Sequence, residues 1–267
     1  GTDGEGLNRF NPKTAGFTHY TSTLKKKVVS ITKYSDEELA MSVFDESIWI
    51  LNRKTGQIRP FEINDKDLNY QMKYAGLAIN LANEKDGSLL LISNSVHRLD
   101  KETGNCIPVT NPIRKKAVGF YLVISQTDNG TWLHDRSNIY FIPYGSMMME
   151  YKGTIEDADI KCGHHGSEGV IWLATTKGLY GFSPDNGKFD HIRTTLFSSA
   201  KSVVCDNKGR VWIGTDNHLY AYLTSSGTFT IFGESDGAAV NEYLSKRSLV
   251  PICHLFQLIF KERLKLF

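Results

Sequence analysis

The sequence contains no hydrophobic run long enough to cross a bilayer as a helix. Its longest apolar stretch, Leu249 to Phe260, is interrupted by Pro251, His254 and Gln257, and it is shorter than the roughly 20 residues that a spanning helix needs. Residues 1–11 show no basic segment followed by an apolar one, so secretion is neither indicated nor excluded by that end. We therefore expect a chain that is soluble as it stands.

The sequence also has no large excess of positive or negative charge. The 31 Lys and Arg residues nearly cancel the 29 Asp and Glu residues, which leaves a net charge of +2. A nucleic-acid-binding protein would need a basic field to attract phosphates, and this sequence does not supply one. We predict no nucleic acid partner.

Cysteine is rare and scattered. The four cysteines form no C-x-x-C pair, so neither a zinc site nor a dense disulfide framework is indicated. Cys162 and Cys205 are predicted to be buried free thiols. The run Cys162-Gly163-His164-His165 is the densest set of metal-ligand types, but it lacks a fourth ligand and adjacent strand residues point to opposite faces. We predict no metal and no cofactor, and we expect this run to lie in a turn that leads to Gly166.

Aromatic residues and glycine are abundant, and they recur in a repeat. With 12 Tyr, 14 Phe, 4 Trp and 23 Gly, the composition favours strands joined by tight turns. A turn glycine that follows an alternating strand recurs about every 42 residues. The six copies are Gly16, Gly56, Gly104, Gly145, Gly187 and Gly227. Each complete copy has room for four short strands, which predicts an all-β fold, a β-propeller of four-stranded blades.

The repeat also sets the predicted domain boundaries. The propeller is expected over residues 1–248, with a half blade at 1–20, five full blades at about 27–233 and a closing strand segment at 240–248. Residues 249–267 form an atypical apolar and basic tail. This gives about six blades. A seven-bladed ring of which the chain holds only part, or closure of the ring by dimerisation, are the alternatives.

Three phrases of the repeat carry a family resemblance. They run from Val211 to Tyr222, from Ile171 to Phe182 and from Gly6 to Tyr20, and Ser235 to Gly237 with Asn241 to Tyr243 extends the likeness. These phrases resemble two-component regulator propeller repeats, which form the periplasmic sensor region of Bacteroides-type hybrid two-component histidine kinases. The resemblance implies a non-catalytic periplasmic sensor that recognises a carbohydrate, with the membrane anchor and kinase in the remainder of a full-length protein and with a homodimer left open.

The turns between the second and third strands of the blades are the candidate ligand site, because propellers bind ligands with the variable loops of one face. Their mixture of amides, carboxylates and cations suits a hydroxyl-rich or anionic glycan. The predicted ligand-binding residues are Asp45, Glu46, Asn94, Asp135, Arg136, Lys177, Asp216, Asn217 and His218.

Other functions remain as alternatives. A protein-interaction scaffold would present an apolar patch instead of a polar site. A propeller glycosidase or lyase is less favoured, because the scattered carboxylates identify no acid/base pair, and no catalytic residue is predicted. Trp132, Trp172 and Trp212 recur at one strand position and are predicted to be core residues, not a sugar-binding platform.

Overall fold

A computed structural model describes residues 6–20, 26–113, 120–233 and 236. This part of the chain forms one two-stranded sheet and five four-stranded sheets, in which each strand lies beside the next in the chain. The strands of the sheets pair antiparallel, as in blade 6, where Val211 opposes Tyr222. The predicted all-β propeller fold of four-stranded blades is confirmed. We number the six sheets blade 1 to blade 6.

The strands have the following bounds. Blade 1 contains β1 (Leu7–Asn11) and β2 (Gly16–Tyr20). Blade 2 contains β3 (Val28–Lys33), β4 (Glu38–Val43), β5 (Ile48–Asn52) and β6 (Ile58–Phe61). Blade 3 contains β7 (Asn80–Asn83), β8 (Leu89–Ile92), β9 (Val96–Leu99) and β10 (Cys106–Pro108). Blade 4 contains β11 (Leu122–Gln126), β12 (Gly130–His134), β13 (Asn138–Pro143) and β14 (Glu150–Thr154). Blade 5 contains β15 (Ile160–His165), β16 (Ile171–Thr175), β17 (Gly178–Ser183) and β18 (Lys188–Ile192). Blade 6 contains β19 (Ser202–Cys205), β20 (Arg210–Gly214), β21 (Leu219–Leu223) and β22 (Thr228–Phe232).

The chain divides into two compact units. The first consists of Gly1–Tyr121, Asp128–Thr131 and Ile142–Met149, and the second of Leu122–Thr127, Trp132–Phe141 and Glu150–Phe267. Within both units the second strands are buried on both faces: every residue of β8 and of β16 is buried. The fourth strands, such as β18 and β22, alternate between exposed and half-buried residues. Two-sided burial explains why the second strands are almost wholly apolar.

The core of each unit lies between consecutive blades. In the first unit, Leu7 of blade 1 packs with Val28 and Met41 of blade 2. In the second unit, Trp132 meets Phe182 edge to face at 6.1 Å, and Trp172 meets Tyr222 in the same way at 5.7 Å.

The exposure of the tryptophans confirms their predicted core role. Trp132, Trp172 and Trp212 are 6%, 9% and 5% exposed. Rings buried to this extent have no face open to a sugar.

The turns between third and fourth strands need a backbone conformation that glycine adopts easily. Gly56, Gly104, Gly187 and Gly227 have φ between 68° and 74°, in the left-handed region. In blade 1 this position falls on Ala15, with φ of 52°, and not on Gly16 as the repeat alignment predicted. The alignment is one residue off there because the alanine carries the strained conformation.

One helix was not predicted. Helix α1 (Lys66–Tyr74) lies between blades 2 and 3, and the Asp65 side chain caps its start by accepting a hydrogen bond from the Leu68 amide. Leu68 and Met72, four residues apart, are buried in the core that blades 2 and 3 share. The apolar contact of this stripe holds the helix on the blades.

Some predictions fall on residues that the structure does not describe. These are the closing strand segment 240–248 and the tail 249–267, and the domain boundaries that depend on them stay a prediction. In the described part of the chain, no helix is both long and apolar enough to span a membrane.

Candidate functional site

The structure places every predicted ligand-binding residue in a turn between the second and third strands of a blade. The turns of blades 3 to 6 share one device, in which a polar side chain at the end of the second strand accepts a backbone amide of the turn. Ser93 accepts from Ser95 at 3.4 Å, Thr175 from Lys177 at 3.1 Å, and Thr215 from His218 at 3.2 Å. The turns are thus held by their own side chains, which fixes the positions of the residues at their tips.

Asp135 belongs to this device and not to an open site. It is 5% exposed, and its carboxylate accepts from the Asn138 amide at 3.2 Å, the Asn138 side chain at 2.7 Å and the Tyr140 hydroxyl at 3.0 Å. A carboxylate occupied in this way holds the turn. Its predicted contact with a ligand is left without structural support.

The first unit contains Asp45, Glu46 and Asn94. Asp45 is exposed with φ of 56°, and the Lys26 ammonium lies 2.8 Å from the Glu46 carboxylate and donates to the Asp45 carbonyl at 3.2 Å. Asn94 is half-buried and accepts from the Ser93 hydroxyl at 3.2 Å. Lys26 therefore pairs with the Glu46 carboxylate and holds the turn backbone at Asp45, so three charged residues meet at the blade 2 turn.

The second unit brings Arg136 and Lys177 against one segment, the connection between blades 4 and 5 at residues 155–159. Arg136 lies 3.5 Å from the carboxylate of Asp159, and Lys177 lies 3.5 Å from that of Asp157. Backbone bonds support the arrangement, since Ile160 donates to the Arg136 carbonyl. Both basic side chains are exposed. Two cations and two carboxylates thus lie along one connection.

The blade 6 turn is held in a similar way by the connection between blades 5 and 6, at residues 193–201. Lys201 lies 3.5 Å from the Asp216 carboxylate, and its backbone amide donates to the Gly214 carbonyl at 2.8 Å. Asn217 and His218 are exposed at the tip of the turn.

The connecting residues were missed by the sequence analysis. Asp157, Asp159 and Lys201, and Lys26 in the first unit, supply the counter-charges of the predicted residues. The connections between blades do not follow the repeat, so no periodic signal marks these positions. Exposed ion pairs of this kind contribute about 0 to 1 kcal/mol each to the stability of the fold. A ligand can therefore take the place of either charged partner at little cost in free energy.

His134, beside the blade 4 turn, has a strongly perturbed pKa. It is 2% exposed; its Nδ1 lies 3.1 Å from the Asp135 carbonyl, and its Nε2 has no hydrogen-bond partner among the described residues. Burial lowers the pKa of His134 to about 4, although the Asp135 backbone and carboxylate act in the opposite direction. His134 is therefore neutral and enclosed at neutral pH.

The run Cys162-Gly163-His164-His165 lies in strand β15, which corrects its predicted position in a turn. Gly163 is required there, because a Cβ atom would lie 2.9 Å from the side chains of both Ile124 and Leu173. Within the described ranges, no group of three or more His, Cys, Asp or Glu residues could hold a metal ion.

The cysteines differ from one another. Cys205 is a free thiol, as predicted, and burial raises its pKa to about 12, so it is unreactive at neutral pH. Cys162 is disulfide-bonded, which corrects its predicted state as a free thiol.

The family comparison identifies the repeat. A family model described as "Two component regulator propeller" matches residues 196–217, which contain β19 and β20. No curated protein matches the chain. The predicted resemblance to two-component regulator propeller repeats is confirmed.

Solved structures with the same fold include extracellular domains of putative one-component and two-component systems and a lyase. The extracellular domain of a putative one-component system from B. thetaiotaomicron has a TM-score of 0.64 at 13% identity, over 81% of this chain and 30% of that chain. The extracellular domain of a putative hybrid two-component system from the same organism has a TM-score of 0.60 at 16% identity, over 92% of this chain and 34% of that chain. Catalytically inactive virginiamycin B lyase from Staphylococcus aureus, with quinupristin, has a TM-score of 0.66 at 14% identity, over 87% of this chain and 78% of that chain. The chain spans about a third of the length of the two extracellular domains, and the likeness at these identities is one of fold.

Proposed function

We propose that this propeller is the extracytoplasmic ligand-sensing part of a two-component signalling protein, that it recognises a carbohydrate, and that it has no catalytic activity of its own. The observation that carries the proposal is the two-component regulator propeller repeat at residues 196–217. Extracellular domains of putative one-component and hybrid two-component systems have the same fold, which supports a periplasmic location. Kinase activity belongs, in this proposal, to other parts of a longer, membrane-anchored protein.

The chemistry of the second unit supports a carbohydrate ligand. Arg136 and Lys177 present exposed cations, and Asp157 and Asp159 present carboxylates within 3.5 Å of them. Sugar hydroxyls donate to carboxylates and accept from cations, so a glycan can use both kinds of group, and an acidic glycan gains bidentate bonds to the guanidinium. Because the existing pairs are exposed and long, their replacement costs little.

The same contacts offer a route for the signal. The connection at residues 155–159 bonds to the blade 4 turn through Arg136 and to the blade 5 turn through Asp159, whose amide donates to the Thr176 hydroxyl at 2.9 Å. A ligand that replaces one of these partners changes how the connection is held between the two turns. We propose that ligand binding is transmitted as a change in the contacts between blades or between two copies of the chain.

A lyase is the second candidate, because virginiamycin B lyase shares the fold. General acid–base catalysis calls for an accessible side chain, most often a histidine or a carboxylic acid, whose pKa lies near the working pH. Burial alone would raise the pKa of Asp206, but hydrogen bonds from Trp212 and Arg210 outweigh burial and lower it. His134, which is buried and nearly inaccessible, cannot reach a substrate without a rearrangement. These observations favour binding without turnover.

The test is thermal unfolding of the chain against a panel of neutral and acidic oligosaccharides. A ligand at a hundred times its dissociation constant stabilises the native state by about 2.7 kcal/mol, which raises the midpoint by several degrees. We expect a rise with one glycan class and no change in the mass of that glycan.

A matched pair of variants in blade 5 locates the effect. Lys177→Ala removes a cation from the turn between second and third strands, whereas Lys188→Ala removes an exposed cation at the opposite end of the same blade. We expect the first variant to weaken the stabilisation and the second to keep it. Turnover of the glycan would support the lyase instead, and no shift with any glycan would favour a protein-interaction scaffold.

A further inference from the structure

The connection between blades 2 and 3 contains the one helix found among the described residues. It runs from residue 62 to residue 79 and contains helix α1, whereas the connection between blades 4 and 5 spans only residues 155–159. The blade contacts require only the buried stripe of the helix, Leu68 and Met72. The opposite side of the helix is exposed and is not needed for contact with the blades.

That opposite side carries two exposed tyrosines. Tyr70 and Tyr74 are four residues apart, so they lie side by side on one face of the helix. They are 64% and 74% exposed, and their ring centroids are 5.4 Å apart with 43° between the ring planes. Each ring therefore leaves apolar surface in water that a ligand could cover.

The helix ends beside the candidate site. Gly76, two residues after the helix, lies against the blade 2 turn: a Cβ atom built on it would be 3.5 Å from the Phe44 ring and 4.0 Å from the Asp45 carboxylate. Asp45 and Glu46 with Lys26 form the charged group of that turn. The tyrosine pair and the charged group therefore belong to the same end of blade 2.

We propose that Tyr70 and Tyr74 form a stacking platform for two consecutive sugar rings of an oligosaccharide, with the Asp45 turn beside it as a source of polar contacts. This inference rests on the proposed carbohydrate-sensing function and adds a subsite to it. The C–H face of a pyranose ring is apolar and flat enough to cover a tyrosine ring, while its hydroxyls at the rim stay in contact with water or with charged side chains. The separation of the two rings is comparable to the spacing of neighbouring sugars in a chain.

The surroundings of the pair favour a sugar over a protein partner. The exposed neighbours on the helix are Lys66, Asp67, Gln71 and Lys73. The centre of a protein interface is depleted of charged residues. A glycan instead needs polar groups around the rings to bond its hydroxyls.

The experiment compares three variants on the full chain. Tyr70→Ala with Tyr74→Ala removes both rings, Tyr70→Phe with Tyr74→Phe keeps the rings and removes only the hydroxyls, and Tyr151→Ala removes a tyrosine that is 44% exposed on β14 in the second unit. An array of size-defined neutral and acidic oligosaccharides identifies the glycan that the wild type binds. Titration calorimetry with that glycan then gives the affinity of each variant.

Stacking predicts that the double alanine variant binds about tenfold or more weakly, while the double phenylalanine variant and Tyr151→Ala stay within about threefold of the wild type. Circular dichroism must show the same fold for all of them, as expected for substitutions of exposed residues. Wild-type affinity in the double alanine variant overturns the platform but leaves carbohydrate sensing intact. Equal losses in the alanine and phenylalanine variants overturn stacking, and a wild type that binds no oligosaccharide on the array overturns the proposed function together with the platform.

Discussion

Acid should destabilise this propeller through His134. The structure lowers the pKa of this residue from 6.5 to about 4, and burial is the main cause. Below pH 6.5 the unfolded chain takes up a proton at this position, whereas the folded chain does so only below about pH 4. Falling pH therefore favours the unfolded state, and the stability is lost between about pH 6.5 and pH 4. From pH 7 to pH 4.5, linkage gives a loss on the order of 2 kcal/mol from this one side chain.

His134→Ala tests this assignment. Alanine suits the position, because blade 5 carries Ala174 at the corresponding place in its second strand. Urea unfolding at pH 7 and at pH 4.5 gives the free energy of unfolding of each protein, and the difference between the two pH values is the result of interest. We expect this difference to be about 2 kcal/mol smaller in His134→Ala than in the wild type, whatever the cavity costs at both pH values. His218→Ala, which removes an exposed histidine, should keep the wild-type difference. Equal pH dependence in His134→Ala and the wild type would refute the reasoning.

Three further predictions concern stability and are checked by chemical unfolding. Gly104→Ala should destabilise the chain by about 1 to 3 kcal/mol more than Gly145→Ala, because both have positive φ but a Cβ atom at residue 104 would lie 2.7 Å from a backbone carbonyl oxygen, while residue 145 faces open space; equal costs would contradict this. Arg98→Ala should cost about 3 to 5 kcal/mol, because it leaves the fully buried Glu84 without the guanidinium that now bonds it at 2.6 and 2.9 Å. Trp172→Ala should cost about 3 to 5 kcal/mol through the cavity left between blades, and a cost below 1 kcal/mol would show that the ring is not core.

The blades were predictable because the sequence repeats them. A second strand buried on both faces is mostly apolar, and the turn that follows the third strand selects glycine, so both features recur at a fixed spacing. Alignment of the repeat gives the wrong position where a residue other than glycine adopts the left-handed conformation. Ala15 takes the left-handed position in blade 1, and the alignment on Gly16 missed it.

Helix α1 was missed although its signals are present. Asp65 is a favourable N-cap residue, and Leu68 and Met72 are spaced for one helical face. The stretch occurs once, so a search for repeats assigns it to a loop. Its stability depends on contacts with blades 2 and 3, which no local pattern reveals.

The candidate site was predictable only in part. The turn positions follow from the strand pattern, and all nine predicted residues lie in such turns. The strand pattern does not show which of these residues are accessible. The Asp135 carboxylate is buried and accepts hydrogen bonds within its turn, while Arg136 beside it is exposed. The counter-charges Asp157 and Lys201 come from connections of irregular length, and only the folded chain brings them to the turns.

Amide hydrogen exchange with and without the glycan found in the unfolding panel tests the central claim most directly. The account predicts that the glycan slows exchange in the turns between second and third strands and in the adjoining connections, at residues 135–137, 155–159, 176–177 and 200–201. The turns at the opposite ends of the blades, at residues 184–187 and 224–227, should exchange at the same rate in both samples. Protection confined to those opposite turns, or no protection anywhere at saturating glycan, would contradict a sensor that reads carbohydrate at this end of its blades.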